Sequence, residues 1–585
     1  MSTKNFDSHT DAAPEAAETA LPIGKEQVRQ AMETLRRYKQ GKASLEQRLI
    51  DNEQYWKLRH WQQYRAGNGG DPQPVSGWLV NVILNRHADA MDAYPQPTCL
   101  PRAADDEPEA ATLNQVLPVI LRNCRFRQTY SRVMYDKLKS GCGAYGVFWD
   151  SRKLHGLGDI AIRRVSLLNL FWEPGIEDIQ DSRNVFCVEL CHKDELVSRY
   201  PQLQDKAVGG SGEVSHYLYD DQVDVTDKAL VVDWYYRKGD RLHYCKFCGD
   251  EVLFATENEA RYGDAGWYNH GRYPFVLDTL YPEEGTPCGF GYVDICKDPQ
   301  KYVDVLNQAI LKNTIAAATP RFFIRADGSI NEEEFADWTK PFVHTDGALG
   351  QDAILPVPTS PLPATALHVL QQKVQEMRLT SGNTDSATGV ATGAVTAASA
   401  IAALQEASGK LSRDMNGTTY DAFEEVVLLC IELMRQFYDT PRTFRVVGAD
   451  GESGFIRYQN SGLVGAEDSA FGVALGVRAA EFDIDVAPQN ESRYTTTAYN
   501  ELAMALYSGG FFDPGRARQA LACLEMMDFK GKEAVARRIR EGAMEAADAA
   551  MAAGSLRPGI NWPTGGEDPN VFRARNSVHQ ATRPR

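Results

Sequence analysis

At 585 residues the chain is too long for a single hydrophobic core, and at roughly 150 residues per domain it holds about four units. A hydrophobic fraction of 43% and a charged fraction of 24% exclude a fibre or a mostly disordered chain, and no run approaches the ~18 apolar residues of a membrane span. The net charge of −17 excludes a surface that grips nucleic acid throughout, which needs Lys and Arg against phosphates, but not a conduit past which DNA slides.

Residues 1–24 are polar, read as a disordered arm, and carry no basic-then-apolar secretory leader. From Lys25 to Tyr64 apolar residues recur at helical spacing (Val28, Met32, Leu35, then Leu45, Leu49, Trp56), with Gly41 dividing two helices. Further helices are predicted over 77–93 and 109–139. Around Ala144 the period changes to two. AYGVFW (144–149), DIAIRRV (159–165), VFCVELC (185–191), ALVVDWYYR (229–237), RLHYCKF (241–247), EVLFAT (251–256) and PFVLDTLY (274–281) read as strands, with a short helix at 194–201. Helices first and a largely antiparallel sheet after define an α+β fold.

Asp298-Pro299 reads as a helix start, Asp as N-cap and Pro at the first helical position, and the helix stops near Pro320. Pro363 opens a second helix that ends at Gly382, with Leu367, Leu370, Val374 and Met377 as its apolar face. The two are nearly equal, each about 27–30 Å long. Between them, residues 320–362 hold a strand (RFFIRA), an acidic helix (Asn331 to Trp338) and a second strand (AILPVP). Matched helices around a compact insertion imply an antiparallel pair that lifts a small cap away from the body. A single chain gains little from that; a ring of chains gains a tube.

GNTDSATGVATGAVT (382–396) is small and polar, without Lys or Arg, and by composition alone is a flexible linker. A long helix is predicted from 397 to 438, about 60 Å, followed by strands at 442–448, 454–460 and 481–488. Residues 495–548 are helical, and the tail beyond is rich in Pro and Gly.

Motifs that would carry chemistry do not develop. Gly141-Cys142-Gly143-Ala144-Tyr145-Gly146 fits G-x-G-x-x-G, but a helix precedes it and a strand follows, the reverse of a dinucleotide site. Gly409-Lys410 and Gly531-Lys532 lack the rest of a Walker A loop. Cys245-x-x-Cys248, with His243 nearby, is half a zinc site whose further candidates, His270, Cys288 and Cys296, are irregularly spaced. The eleven cysteines suit a reducing compartment. No metal, cofactor or catalytic residue is expected, and the chain is not expected to be an enzyme.

The order of these elements resembles the bacteriophage portal protein family. CGFGYVDICKDPQKYVDVLNQAILKNTIAAATP, TGAVTAASAIAALQEASGKLSRDMNGTTYDAFEEVVLLCIELMRQFY and FDIDVAPQNESRYTTTAYNELAMALYSGGFF carry the resemblance, which spans roughly residues 30 to 545. It implies a portal-like, ring-forming fold: a wing (25–290 and 396–495), stem helices (291–319 and 363–381), a clip (320–362), a tunnel loop (382–395), a helical crown (496–548) and a flexible tail (549–585). It further implies a dodecamer at the unique capsid vertex, soluble in the bacterial cytoplasm before assembly. Double-stranded DNA passes through such a ring, which docks the terminase large subunit, a head–tail connector, and the major capsid and scaffolding proteins.

In that frame Asn383, Thr384, Asp385, Ser386 and Thr388 are the polar residues of the tunnel loop that would face DNA. Lys297, Lys301, Lys312, Lys373 and Arg378 lie on the stem, facing either the channel and neighbouring subunits or only local ion-pair partners. Glu332, Glu333, Glu334, Phe335 and Trp338 make an acidic, aromatic partner surface on the clip, unless the aromatics fill the clip's own core. The alternatives are another ring-forming connector or structural protein, or a nucleic-acid enzyme with an unrecognised site.

Overall fold

A computed structural model describes residues 22–64, 71–204, 227–262, 266–319, 321–324, 330–337, 339–346, 354–357, 364–383, 409–447, 453–470, 473–488, 502–525 and 532–552. These fall into two units, 1–490 and 491–585. The first begins with α1 (Lys25–Gly41), α2 (Ala43–Trp56), α3 (His60–Gln63) and α4 (Trp78–Asp92). After β1 (Pro95–Pro101) come α5 (Glu107–Asn123) and α6 (Phe126–Ser140). The single helix expected over 109–139 is two helices, because Arg125 takes a left-handed backbone, φ +53 and ψ +40, and turns the chain.

The strands follow as β2 (Cys142–Asp150), β3 (Asp159–Val165), β4 (Leu170–Phe171) and β5 (Asn184–His192), then the helix α7 (Lys193–Arg199). Beyond it lie β6 (Lys228–Lys238), β7 (Arg241–Cys248), β8 (Glu251–Ala255), β9 (Phe275–Thr279), β10 (Tyr281–Glu283) and β11 (Thr286–Phe290). One antiparallel sheet has the order β4-β5-β6-β7-β8, another β3-β2-β9. Strand β2 is buried from Cys142 to Phe148's neighbour Val147, because α6 lies against it and so does the helix near 430.

The turn from α6 into β2 uses the glycines of the G-x-G-x-x-G string. Gly141 has φ +84, and a Cβ there would sit 2.3 Å from the Phe290 carbonyl carbon. The string is thus a helix-to-strand corner, as its order required.

The chain continues through α8 (Tyr292–Ala318), β12 (Phe322–Ile324), α9 (Glu332–Ala336), β13 (Ile354–Pro356) and α10 (Ala364–Thr380). Then come α11 (Lys410–Phe437), the hairpins β14 (Arg442–Val447) with β15 (Ser453–Tyr458) and β16 (Ala466–Ala470) with β17 (Val473–Arg478), and β18 (Phe482–Pro488). Helix α11 buries Met415, Phe423, Val426, Val427, Cys430 and Met434 at three-to-four spacing, and forms the spine of the main core. It begins at Lys410 and is about 42 Å long; the earlier part of the predicted helix, 397–408, lies outside the described residues.

Strand β1 was not expected, since PQPTCLP reads as a loop. It pairs with β18 over its whole length, Pro95 opposite Pro488 and Pro101 opposite Phe482. Cys99 directs its N–H and C=O away from β18, to Asn114 of α5 at 2.6 and 3.0 Å. Pro95, Pro97 and Pro101 share that parity, so their missing N–H groups fall on the side β18 does not use.

The second unit stands on a small cluster of its own, with Leu506, Leu524, Ala536 and Ile539 buried between helices that include the short Ala517–Glu525 and the longer Lys532–Ala552.

Candidate functional site

Helix α8 starts at Gly291, not at Asp298. The Gly291 N–H donates to Asp294 Oδ2 at 3.1 Å, and Tyr292, Val293 and Cys296 are buried in the body. Pro299 therefore lies inside the helix, a position that forfeits one backbone hydrogen bond and costs about 3 kcal/mol; burial of the first two turns overrides it. This makes the helices unequal, 27 residues against 17. The extra length is the rooted part: α8 is buried as far as Asp304, and beyond it no residue of the helix is.

Three polar clusters tie this part of the body together, and the first sits at the root of α8. Asp304 Oδ2 accepts from His60 at 2.6 Å and from the Tyr64 hydroxyl at 3.1 Å, and Oδ1 accepts from the Ser76 N–H at 3.0 Å and Gln300 Nε2 at 3.0 Å. Farther out, Gln308 Nε2 donates to the Pro72 carbonyl at 2.9 Å and Lys312 pairs with Asp71 at 3.0 Å. The 71–79 segment thus runs along one face of α8 as a brace.

The second cluster centres on Arg86 of α4, whose side chain is buried. Its guanidinium donates to the Ser381 carbonyl at 2.6 Å, just past α10, and to Ser412 Oγ at 2.5 Å, near the start of α11. One side chain thereby holds both flanks of the 384–408 segment. Gly382 (φ +67) admits this, because a Cβ there would lie 2.3 Å from Arg86 Nη2. In the third cluster Lys137 of α6 bonds Asp278 of β9 at 2.5 Å and the Thr418 and Thr419 hydroxyls of α11 at 2.8 and 2.7 Å. Burial raises the Asp278 pKa, and Lys137 opposes that shift.

Helices α8 and α10 pack on each other in opposite directions, with Lys373 Nζ 5.8 Å from the Tyr302 ring. Neither buries its outward faces. Leu311 and Ile315 on α8 and Leu367 and Leu379 on α10 are exposed, Ile315 by 48% and Leu379 by 59%. The tip is a short hairpin, Phe322 opposite Pro356 and Ile324 opposite Ile354, with α9 beside it. Phe335 packs edge-on to Phe322 at 5.2 Å, so it serves the tip's own packing. Glu334 accepts from the His344 N–H at 2.9 Å and meets the His344 ring at 2.7 Å, and those hydrogen bonds lower its pKa.

The remaining sequence candidates divide. Glu332 and Glu333 are exposed on α9, whereas Trp338 lies outside the described residues. Lys297 pairs with Asp294 at 3.3 Å, Lys312 with Asp71 and Lys373 with Glu376 at 2.7 Å. Lys301 lies 5.9 Å from the Tyr64 ring, and the Arg378 carbonyl accepts from the Asn383 N–H. Lys297, Lys312 and Lys373 thus have carboxylate partners and Lys301 an aromatic one. Asn383 is buried, in amide contacts with Asn81 and Asn85 of α4, both 3.0 Å; Thr384, Asp385, Ser386 and Thr388 lie outside the described residues. Sequence reading missed Arg86, His60 and Asp304, and only burial distinguishes them from surface charges.

Cys245 and Cys248 fall on opposite faces of β7, in separate hydrophobic clusters, so they form no knuckle. Among the described residues no group of three or more His, Cys, Asp or Glu side chains is placed to hold a metal ion, and no helix is long and apolar enough to cross a membrane.

The described residues thus build a rooted, antiparallel helix pair that carries a small folded tip. The phage P22-like portal protein family matches residues 88–555, the greater part of the sequence, and the chain belongs to that family. Its role is that of a phage portal protein, a structural component of the virion. No curated protein matches the chain.

Proposed function

We propose that α8 and α10 are the stem of a dodecameric ring whose channel conducts double-stranded DNA during packaging and ejection. Residues 25–290 and 396–495 then form the wing, 320–362 the clip, 382–395 the tunnel loop and 496–548 the crown. One observation carries this reading: both projecting helices hold Leu and Ile side chains in water, although their roots are tightly fixed. Such rows are covered when copies stand side by side. The exposed carboxylates of α9 at the tip suit docking of the terminase large subunit and, later, a head–tail connector, and wing surfaces suit capsid and scaffolding proteins. The tunnel loop, without cations from 382 to 395, crowds the duplex without trapping its phosphates.

Negative-stain imaging with sedimentation velocity on the purified full chain tests the ring. Closed rings of about a dozen copies with an open centre are the expected result; a monomer at every concentration and salt would sink the reading.

A further inference from the structure

At the corner between α5 and α6 lies a hollow of about 1000 Å³ rimmed by Arg122, Arg125, Arg127 and Arg132. All four are exposed. Among the described residues none of them is ion-paired with a carboxylate, although acids outnumber bases in the chain, 79 to 62. The left-handed backbone of Arg125 turns the corner, and Arg127 lies 6.0 Å from the Tyr94 ring. Met91, Pro118 and Phe126 line the floor. Four uncompensated guanidiniums around an apolar floor await a partner with carboxylates and carbon to fill the space. A sugar–phosphate backbone supplies the charge but only sugar carbons for the floor; a polypeptide supplies carboxylates together with larger apolar side chains.

The candidate partner lies on the same molecule. Phe126, on the floor, packs against Phe423 of α11 at 5.2 Å. Thr418, Asp421 and Glu425 recur three and four residues apart on the other flank of α11 and, with Glu177 and Asp178, line a second hollow of about 340 Å³. Its lining has four acidic residues and no Lys or Arg; among the described residues Glu425 pairs with Arg272 at 3.5 Å from outside the lining, while Glu177, Asp178 and Asp421 have no basic partner. A ring closes only through two different, mutually complementary surfaces on each copy. The geometry points to one such contact: the arginine hollow of one copy receives the acidic flank of α11 from the next. This rests on the ring reading above and names the residues that join its neighbours.

Charge exchange tests it. Arg125→Glu with Arg127→Glu in one chain, and Glu177→Arg with Asp421→Arg in another, should each assemble at least tenfold less ring than wild type at equal concentration. Thermal melts should stay unchanged, because all four side chains are exposed. A chain carrying all four substitutions restores complementarity with the signs exchanged, and should recover rings. Normal assembly of either reversed pair would overturn the proposal, as would failure of the fourfold chain to recover. If the arginine reversal leaves rings intact but abolishes a gel shift of duplex DNA, the hollow binds nucleic acid and the proposal is wrong. Wild-type rings in the same experiment separate this failure from failure of the ring itself.

Discussion

His60 and Asp304 meet at 2.6 Å with both side chains wholly buried, joining α3 to the point at which α8 leaves the body. The carboxylate also serves the Tyr64 hydroxyl, the Ser76 N–H and Gln300. Replacing Asp304 by Ala strands all of these donors in a dry site, which costs about 3–5 kcal/mol. Asp304→Asn keeps the shape and one acceptor and should cost less than Asp304→Ala. Denaturant unfolding of the two variants measures the difference; equal and negligible losses would show that the stem's root is not held there.

Lys42 gives a pH-dependent stability with a defined sign. Its ammonium is buried, donates to the Leu167 carbonyl and, at 2.5 Å, to that of Leu170, and lies 4.5 Å from the Trp172 ring. Burial lowers its pKa from 10.5 to about 8, against the opposing pull of Glu46. Between those values the unfolded chain holds a proton that the folded chain has released. Stability from this group therefore rises from pH 8 to 10.5, by about 3 kcal/mol, and is lost as pH falls back through 8. Lys42→Met should remove that slope, and the difference between the two proteins' unfolding free energies across the window reads it directly.

The sequence disclosed most of the elements but not the contacts that aim them. The apolar strand runs around β2 to β9 and the three-to-four spacing of α11 are visible in one dimension because each marks a surface that its own element buries, on one face of α11 and on both faces of β2. The start of α8 was misread because Asp298-Pro299 is a good local cap, while the burial of Tyr292, Val293 and Cys296, which decides the matter, is tertiary. Strand β1 was hidden by prolines whose harmlessness depends on which edge faces β18. Arg86 looked like any helical arginine, since Ser381 and Ser412 reach it from nearly three hundred residues or more away.

Gly141 is a position where a single methyl group should be felt. The backbone is left-handed (φ +84), and the added Cβ would meet the Phe290 backbone at 2.3 to 2.6 Å. Strain and clash act together at the joint between α6, β2 and the strand leading into α8, and backbone atoms cannot step aside as a flexible side chain would. Gly141→Ala should destabilise the protein by more than about 2 kcal/mol, measured by urea unfolding. Gly156→Ala, also at positive φ (+94) but with nothing within 4 Å of the added carbon, should cost only about 1 kcal/mol.

Leu311 and Ile315 separate what holds one chain together from what holds chains to each other. Both are exposed on the outer part of α8, one turn apart on the same side. In an isolated chain both are partly covered, 39% and 48% exposed, but Glu keeps the inner carbons of the side chain and is a good helix former, so the unfolding free energy should move by no more than about 1 kcal/mol. In a ring, the same carboxylates would be desolvated against neighbouring stems and set beside their own copies around the axis. Burying an unpaired charge costs several kcal/mol at each contact, repeated at every subunit. Leu311→Glu with Ile315→Glu should therefore melt like wild type yet sediment as a monomer. Rings that persist at wild-type abundance would mean that these side chains face open solvent in the assembly, and that the stem is joined along another face.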